Sequence, residues 1–379
     1  MLSSALSPSA LLIPHGLTIL ALTITHPAYR KLVFAQILAF VAYNLHTAPT
    51  VSPSTDWPLA FSLTALVFAG SDFLLLTKSY ADLHRRGQVG NIEEQPTLAR
   101  IKWAMSLLTN QRMIGWTVEP ARVLPSPPQL AASGSRLYFV GEQTFKLMLE
   151  LLIVNILGIG FAMTPALSPE GPSLTSCAWF WRSVHVANVI SLTRYAISAG
   201  HRALSLLLIA SGLEDPAEFR PLCGRWQDAY TLRRFWGRTW HQVLRRTLTS
   251  HGRFVALEVL KLEPGSKAST YTQLYVAFIL SGVIHFWADV IPLGRWNAGT
   301  MKFFVLQAIA IHCEDILIAW ATKVGLRPSR LLRFLGYILV WQWFAWCLPN
   351  WLDALIKAKV FGAGPQIPII QTVTSLARR

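Results

Sequence analysis

The chain has 379 residues, of which 53% are hydrophobic and only 14% are charged. A soluble domain carries about 25% charged residues, so this chain has too few charges to coat a water-facing globule. Its net charge of +15 lies in scattered basic residues between apolar stretches, which argues against nucleic-acid binding. The composition therefore predicts an integral membrane protein.

Apolar stretches of spanning length recur along the whole chain. A transmembrane helix needs roughly 20 mostly apolar residues, and only helices or closed barrels satisfy the backbone in lipid. We therefore predict one all-α, polytopic membrane domain over residues 1–379, with about eight spans and with seven to nine compatible with the pattern. The predicted spans lie at about 11–25, 32–47, 57–77, 145–163, 177–211, 271–291, 299–322 and 334–352.

The loops between these spans alternate in charge. Residues 49–57 and 164–176 carry no Lys or Arg, whereas 78–146, 212–248 and 323–333 are basic. Positive charge marks cytosolic loops, so we predict a lumenal N-terminus. The basic tail breaks this alternation, and one further short segment near 360–375 would restore it.

Two segments are predicted to lie at the membrane surface. Residues 100–116 have a Trp near each end, Trp103 and Trp116, as expected of an interfacial helix. Residues 227–248 mix aromatic and basic side chains in the same way. A Pro-rich loop, 119–135, separates them.

An ionisable residue inside a span is costly and is a functional candidate by default. His285 is the most informative of these, because Asp289 follows one helical turn later and is predicted to fix the imidazole tautomer. A neutral imidazole held in this way is a suitable general base, and the alternative is a structural histidine bonded to a neighbouring helix. The other candidates are Asp72, Glu150, His185, Arg194, His312, Glu314 and Asp315.

The segment 233–242, RRFWGRTWHQ, combines arginines with aromatic rings. Guanidinium groups match phosphate oxygens, and aromatic rings anchor at the membrane surface or stack on a flat ring. His241 adds a polar group. A basic juxtamembrane helix bound to anionic lipid is the alternative.

No metal site is predicted. The four cysteines form no CxxC pair, and the ten histidines show no HxxxH or HxxHH cluster. Successive residues of a helix point about 100° apart, so few of the four residues 312–315 could reach one ion. We expect these four to form a polar network within the bundle.

RFWGRTWHQ, followed 44 residues after His241 by His285 in SGVIHFW, resembles the wax synthase-like branch of the membrane-bound O-acyltransferases. The specific match covers about residues 216–300, the predicted catalytic segment. Fungal members of this branch include acetyltransferases of terpenoid and meroterpenoid pathways.

The resemblance implies that His285 takes the proton from an acceptor hydroxyl that attacks an acyl-CoA, most simply acetyl-CoA. His241 occupies a position where this branch commonly has Asn, and its expected role is to orient substrate, stabilise the oxyanion or assist proton transfer. We also expect the protein to lie in the endoplasmic reticulum membrane. The residues expected to hold the acyl-CoA co-substrate are Arg233, Arg234, Trp236, Arg238 and Trp240.

Three other functions remain possible at this stage. A long-chain wax ester synthase uses the same reaction. A transporter or lipid-handling protein would line a pathway with the buried charges, although the chain shows no internal repeat. A metal-dependent hydroxylase or desaturase would need the clustered histidines that are missing here.

Overall fold

The structure is a computed structural model and describes residues 6, 8–23, 27–49, 51–77, 80, 83–120, 123–126, 135–294, 296 and 298–361. Within these residues the chain is helical, and its one β-type pairing is an isolated bridge between Arg85 and Trp116. The predicted all-α class is confirmed. The α-helices are α1 Leu12–Thr23, α2 Pro27–Thr47, α3 Pro53–Ser71, α4 Thr97–Thr109, α5 Arg136–Ala162, α6 Trp179–Ala210, α7 Leu232–Arg234, α8 Arg245–Arg253, α9 Lys267–Leu293, α10 Ala298–Lys323, α11 Arg330–Cys347 and α12 Pro349–Lys357.

In their described residues, the eight predicted spans lie mainly on helices, but fewer helices meet a strict test of length and apolarity. In the described part of the chain, four do so: Pro53–Leu76, Arg136–Ala162, Lys267–Leu293 and Gly299–Lys323. Helices α11 and α12 pass together, with a bend of 50° between them, and Ser9–Thr23 is a shorter apolar helix. The protein therefore has several membrane helices, and the number eight stays a prediction.

Side-chain caps explain where several long helices begin. Ser135, Ser266 and Ser329 each accept a hydrogen bond from a backbone N–H in the first turn of α5, α9 and α11. Serine is a favoured cap because its short side chain reaches these unpaired donors. Helix α9 ends at Leu293 and is capped by Gly294, whose φ of 59° is left-handed, a conformation that glycine adopts at little cost.

The chain divides into two compact units. Unit 1 comprises residues 1–119 and 243–309, and unit 2 comprises residues 120–242 and 310–379. In unit 1, α3 and α8 both pack against α9, and α1 packs against α2 and α4. In unit 2, α5 packs along α6, which also contacts α11. The predicted catalytic segment 216–300 contributes to both units, and the prediction of a single acyltransferase domain stays a prediction.

The predicted interfacial helix at 100–116 needs correction. Helix α4 ends at Thr109, and the chain then turns through Met113, whose φ is 56°. Trp103 and Trp116 are buried and pack edge to face, with ring centroids 5.7 Å apart. They are core residues of unit 1 and do not anchor the chain at a membrane surface. Most of the possible extra segment near 360–375 lies outside the described residues.

Candidate active site

His285 lies in the second half of α9, in unit 1. Its Nδ1 is 2.7 Å from the carbonyl oxygen of Ser281, one turn earlier. A carbonyl oxygen only accepts hydrogen bonds, so Nδ1 carries the proton and donates to it. In the neutral imidazole the lone pair then lies on Nε2, which is the arrangement that a general base requires.

Aromatic rings surround this imidazole within unit 1. The ring centroid of Phe304 lies 4.5 Å away, that of Phe61 5.1 Å away in an edge contact, and that of Trp57 6.0 Å away. Gly282 permits the approach of Phe304, because a Cβ at this position would lie 3.1 Å from Phe304 Cβ. His285 is therefore a half-buried polar group in a mainly aromatic enclosure.

Asp289 is fully buried and links two other elements of unit 1. Its Oδ1 accepts a hydrogen bond from Trp57 Nε1 at 2.7 Å, and its Oδ2 accepts one from the Thr300 hydroxyl. The described bond at His285 Nδ1 goes to Ser281. That Asp289 fixes the tautomer of His285 stays a prediction.

The FWGRTW sequence forms a helical turn in unit 2. Residues Leu232–Arg234 are α-helical, and a π-type turn follows over Phe235–Thr239. Such turns are frequent at functional sites. Gln242 closes the turn, since its Nε2 donates to the carbonyls of Trp236 and Trp240 at 3.0 and 2.7 Å.

Two of the three arginines expected to bind the donor already have acidic partners. Arg233 donates from Nε and Nη2 to Asp315, and Arg234 pairs with Asp228. Glu314 accepts hydrogen bonds from the backbone N–H groups of residues 232 and 233, at 2.8 and 3.1 Å. The expected polar network at residues 312–315 thus includes Glu314 and Asp315, which hold the start of this segment.

Arg238 differs from these two arginines because its side chain is exposed. Within the described part of the chain it has no hydrogen-bond or ion-pair partner. Trp236 and Trp240 both pack on Phe235, with centroids 5.3 and 5.6 Å away. Arg238 is therefore the most accessible cation of this segment.

His241 follows in unit 2, with its ring centroid 5.3 Å from that of Trp240. His241 and His285 belong to different units, so their joint action stays a prediction.

Four residues near His285 or Asp289 were not singled out from the sequence: Trp57, Phe61, Thr300 and Phe304. A Trp beside a predicted span indicates a membrane interface as readily as a site.

Other ionisable candidates have structural partners within their own unit. Asp72 pairs with Arg246 at 2.8 Å, and Arg194 donates to the Gly224 carbonyl at 2.6 Å. Glu150 pairs with Arg202 at 2.9 Å. Among the described residues, no group of three or more His, Cys, Asp or Glu side chains could hold a metal ion.

Comparison with known proteins gives the class of this protein. Residues 219–306, which include both RFWGRTWHQ and SGVIHFW, match the membrane bound O-acyl transferase family. The chain is 36% identical to acetyltransferase ple2 of Rhodocybe pseudopiperita, over 93% of this chain and 92% of that protein. It is 35% identical to acetyltransferase eriL of Hericium erinaceus, over 86% of this chain and 84% of that protein.

A third relative, acetyltransferase atnC of an Arthrinium species, is 30% identical over 90% of this chain and 85% of that protein. The chain therefore belongs to the membrane-bound O-acyltransferase family, as its sequence motifs indicated. Within this family it is an acetyltransferase.

Proposed function

We propose that this protein transfers acetyl from acetyl-CoA to a hydroxyl group of a lipophilic, terpenoid-type secondary metabolite, with His285 as general base. The hydrogen bond from Nδ1 to the Ser281 carbonyl carries this proposal, because it places the lone pair of the neutral imidazole on Nε2. The aromatic rings of Phe61 and Phe304 beside the imidazole favour an apolar acceptor.

The acetyl group would pass directly from the thioester to the acceptor hydroxyl, without a covalent acyl-enzyme. Nε2 of His285 takes the hydroxyl proton while the acceptor oxygen bonds to the thioester carbonyl carbon. The C–S bond then breaks, and the proton on His285 passes to the departing thiolate, which gives free CoA and the acetate ester. His241 would stabilise the developing oxyanion or orient the acceptor.

The test is release of free CoA by detergent-purified protein supplied with acetyl-CoA and a panel of lipophilic alcohols, with mass spectrometry of the esters. His285→Ala should lower the rate by at least about 10²-fold, the usual contribution of general base catalysis. His46→Ala, at an exposed position of α2, is the control and should retain activity. A folded His285→Ala enzyme with full activity would overturn the role of His285.

The same assay separates the competing functions. A preference for palmitoyl-CoA over acetyl-CoA would favour a wax ester synthase. Substrate flux across vesicles without any need for CoA would favour a transporter.

For the donor, we propose that Arg233, Arg234 and Arg238 bind the CoA phosphates and that Trp236 and Trp240 pack against its flat ring. The accessible guanidinium of Arg238 best supports this proposal, because Arg233 and Arg234 already pair with carboxylates. Guanidinium groups suit phosphates since they present several donors in one plane. Acetyl-CoA would thus bind a segment whose conformation is stabilised by ion pairs with Asp228 and Asp315.

Acetyl-pantetheine, which lacks the nucleotide, tests this assignment. Arg238→Ala should raise the KM for acetyl-CoA about tenfold, as expected for one charged hydrogen bond, and should leave the KM for acetyl-pantetheine unchanged. Arg327→Ala, at another exposed arginine, is the control. Equal changes for both donors would show that Arg238 acts on folding and not on the nucleotide.

We further propose about eight spans in the endoplasmic reticulum membrane, with the basic loops in the cytosol. The alternation of basic and non-basic loops supports this topology. It gives acetyl-CoA access to the arginine-rich segment from the cytosol. A tagged chain should therefore co-localise with an endoplasmic reticulum marker.

A further inference from the structure

We infer that Asp289 is a positioning residue for acceptor binding: together with Thr300 it holds the Trp57 indole beside His285. This inference rests on the proposed function, because it assigns Trp57 to the acceptor side of the site. It deepens that function by naming a residue that determines how the acceptor is bound.

The polar end of this arrangement is a buried tether. The Trp57 Nε1–H donates to Asp289 Oδ1 at 2.7 Å, and the Thr300 hydroxyl donates to Oδ2. The indole has a single N–H donor, so this bond restricts the rotation of the whole ring. Neither Asp289 nor Thr300 is accessible to solvent, so bulk water does not compete for these two hydrogen bonds.

The ring end of the arrangement lies at the candidate base. The indole centroid is 6.0 Å from that of His285, and the indole stacks on Phe61 at 5.6 Å with an interplanar angle of 14°. Trp57, Phe61 and His285 all keep part of their surface exposed, whereas Asp289 keeps none. An apolar ligand beside His285 would therefore contact the rings and not the carboxylate.

A purely structural role explains this geometry less well. Burying a carboxylate costs several kcal/mol, and apolar side chains would fill the same volume without that cost. The tether instead fixes the orientation of one ring next to the reactive imidazole. The competing role, in which Asp289 acts directly on His285, predicts a change in proton transfer and not in acceptor binding.

Thr300→Val tests the inference, because valine keeps the shape of threonine and removes its hydroxyl. We expect the KM for the acceptor to rise about fivefold, the effect of one hydrogen bond. The kcat and the KM for acetyl-CoA should stay within twofold of the wild-type values, and the pH profile of kcat should be unchanged. Thr300→Ser should restore the acceptor KM, and Trp57→Phe should raise it further.

Thr322→Val in α10 is the matched control, since among the described residues the hydroxyl of Thr322 bonds only to the Ile318 carbonyl of its own helix, at 2.8 Å. An unchanged acceptor KM in folded Thr300→Val would overturn the inference. So would a lower kcat with a displaced pH profile, which would mean that Asp289 acts on His285. If the valine variant does not fold, Trp57→Phe gives the same readout. Failure of the proposed function itself would appear as a wild-type enzyme without acetyl transfer.

Discussion

Two carboxylates within the helices of this protein have different kinds of donor among their described hydrogen bonds. In unit 2, Glu150 of α5 receives two hydrogen bonds from the Arg202 guanidinium, both at 2.9 Å, and a third from Ser198 at 2.8 Å. In unit 1, the described hydrogen bonds of Asp289 come from two neutral donors, Trp57 and Thr300.

Under the proposed mechanism, this difference separates a structural charge from one beside the candidate base. Arg202 satisfies Glu150 in a bidentate pair and also donates to Gln143, so the cluster joins α5 to α6. The donors of Asp289 instead orient a ring that contacts His285. A charge inside a membrane helix is a functional candidate by default. The groups that it contacts indicate whether its role is structural or lies at the candidate site.

The largest loss of stability is expected from Arg202→Met. It leaves Glu150 buried without its cation, which should lower the free energy of unfolding by about 3–5 kcal/mol. Thermal unfolding in detergent measures this loss, and the folded fraction should keep its specific activity. Lys146→Met, at a partly exposed pair with Glu142, is the control and should cost less than about 1 kcal/mol.

A double variant, Arg202→Met with Glu150→Gln, should recover part of that stability because no unpaired charge remains. An Arg202→Met protein of normal stability but with an altered substrate KM would contradict the structural role. Glu150 would then affect substrate binding, as Asp289 is proposed to do, and the two carboxylates would not differ in role.

A smaller effect is expected in unit 1 from Gly282→Ala. The added Cβ would lie 3.1 Å from both Met301 Sδ and Phe304 Cβ, and overpacking of this kind costs about 1–3 kcal/mol. Because Phe304 contacts His285, kcat/KM should fall several-fold in the protein that remains folded. Unfolding and kinetic measurements on the same preparation separate the two effects.

Gly141→Ala in α5 is the matched control for this substitution, because a Cβ there meets no atom within 4 Å. Alanine has the higher helix propensity, so this variant should be as stable as the wild type or up to about 1 kcal/mol more stable. Loss of activity in Gly141→Ala equal to that in Gly282→Ala would mean that the glycine beside His285 has no special role.

Much of the fold could be predicted from the sequence, but with errors in detail. Each predicted span lies on a helix because long apolar runs have few other stable forms in lipid. The interfacial helix at 100–116 was wrong in its length and in its Trp contacts, since aromatic residues suit a buried core and a membrane surface equally well. Trp116 belongs to the core of unit 1.

The candidate site, too, could be predicted from the sequence only in part. The sequence singled out His285 and Asp289, and helical periodicity correctly put them one turn apart on α9. It did not predict Ser281 as the acceptor of the Nδ1 hydrogen bond. It also did not predict that Arg233 and Arg234, expected to bind phosphate, have acidic partners of their own.

The sequence by itself therefore determined the membrane class, the helices and the pair of motifs that identify the family, because hydropathy and short motifs are local properties of the chain. Only the tertiary structure decided the partners of the key side chains. Trp57 and Asp289 are 232 residues apart in the chain and form one hydrogen bond. Packing between distant helices makes such a bond, and no periodicity within one helix specifies it.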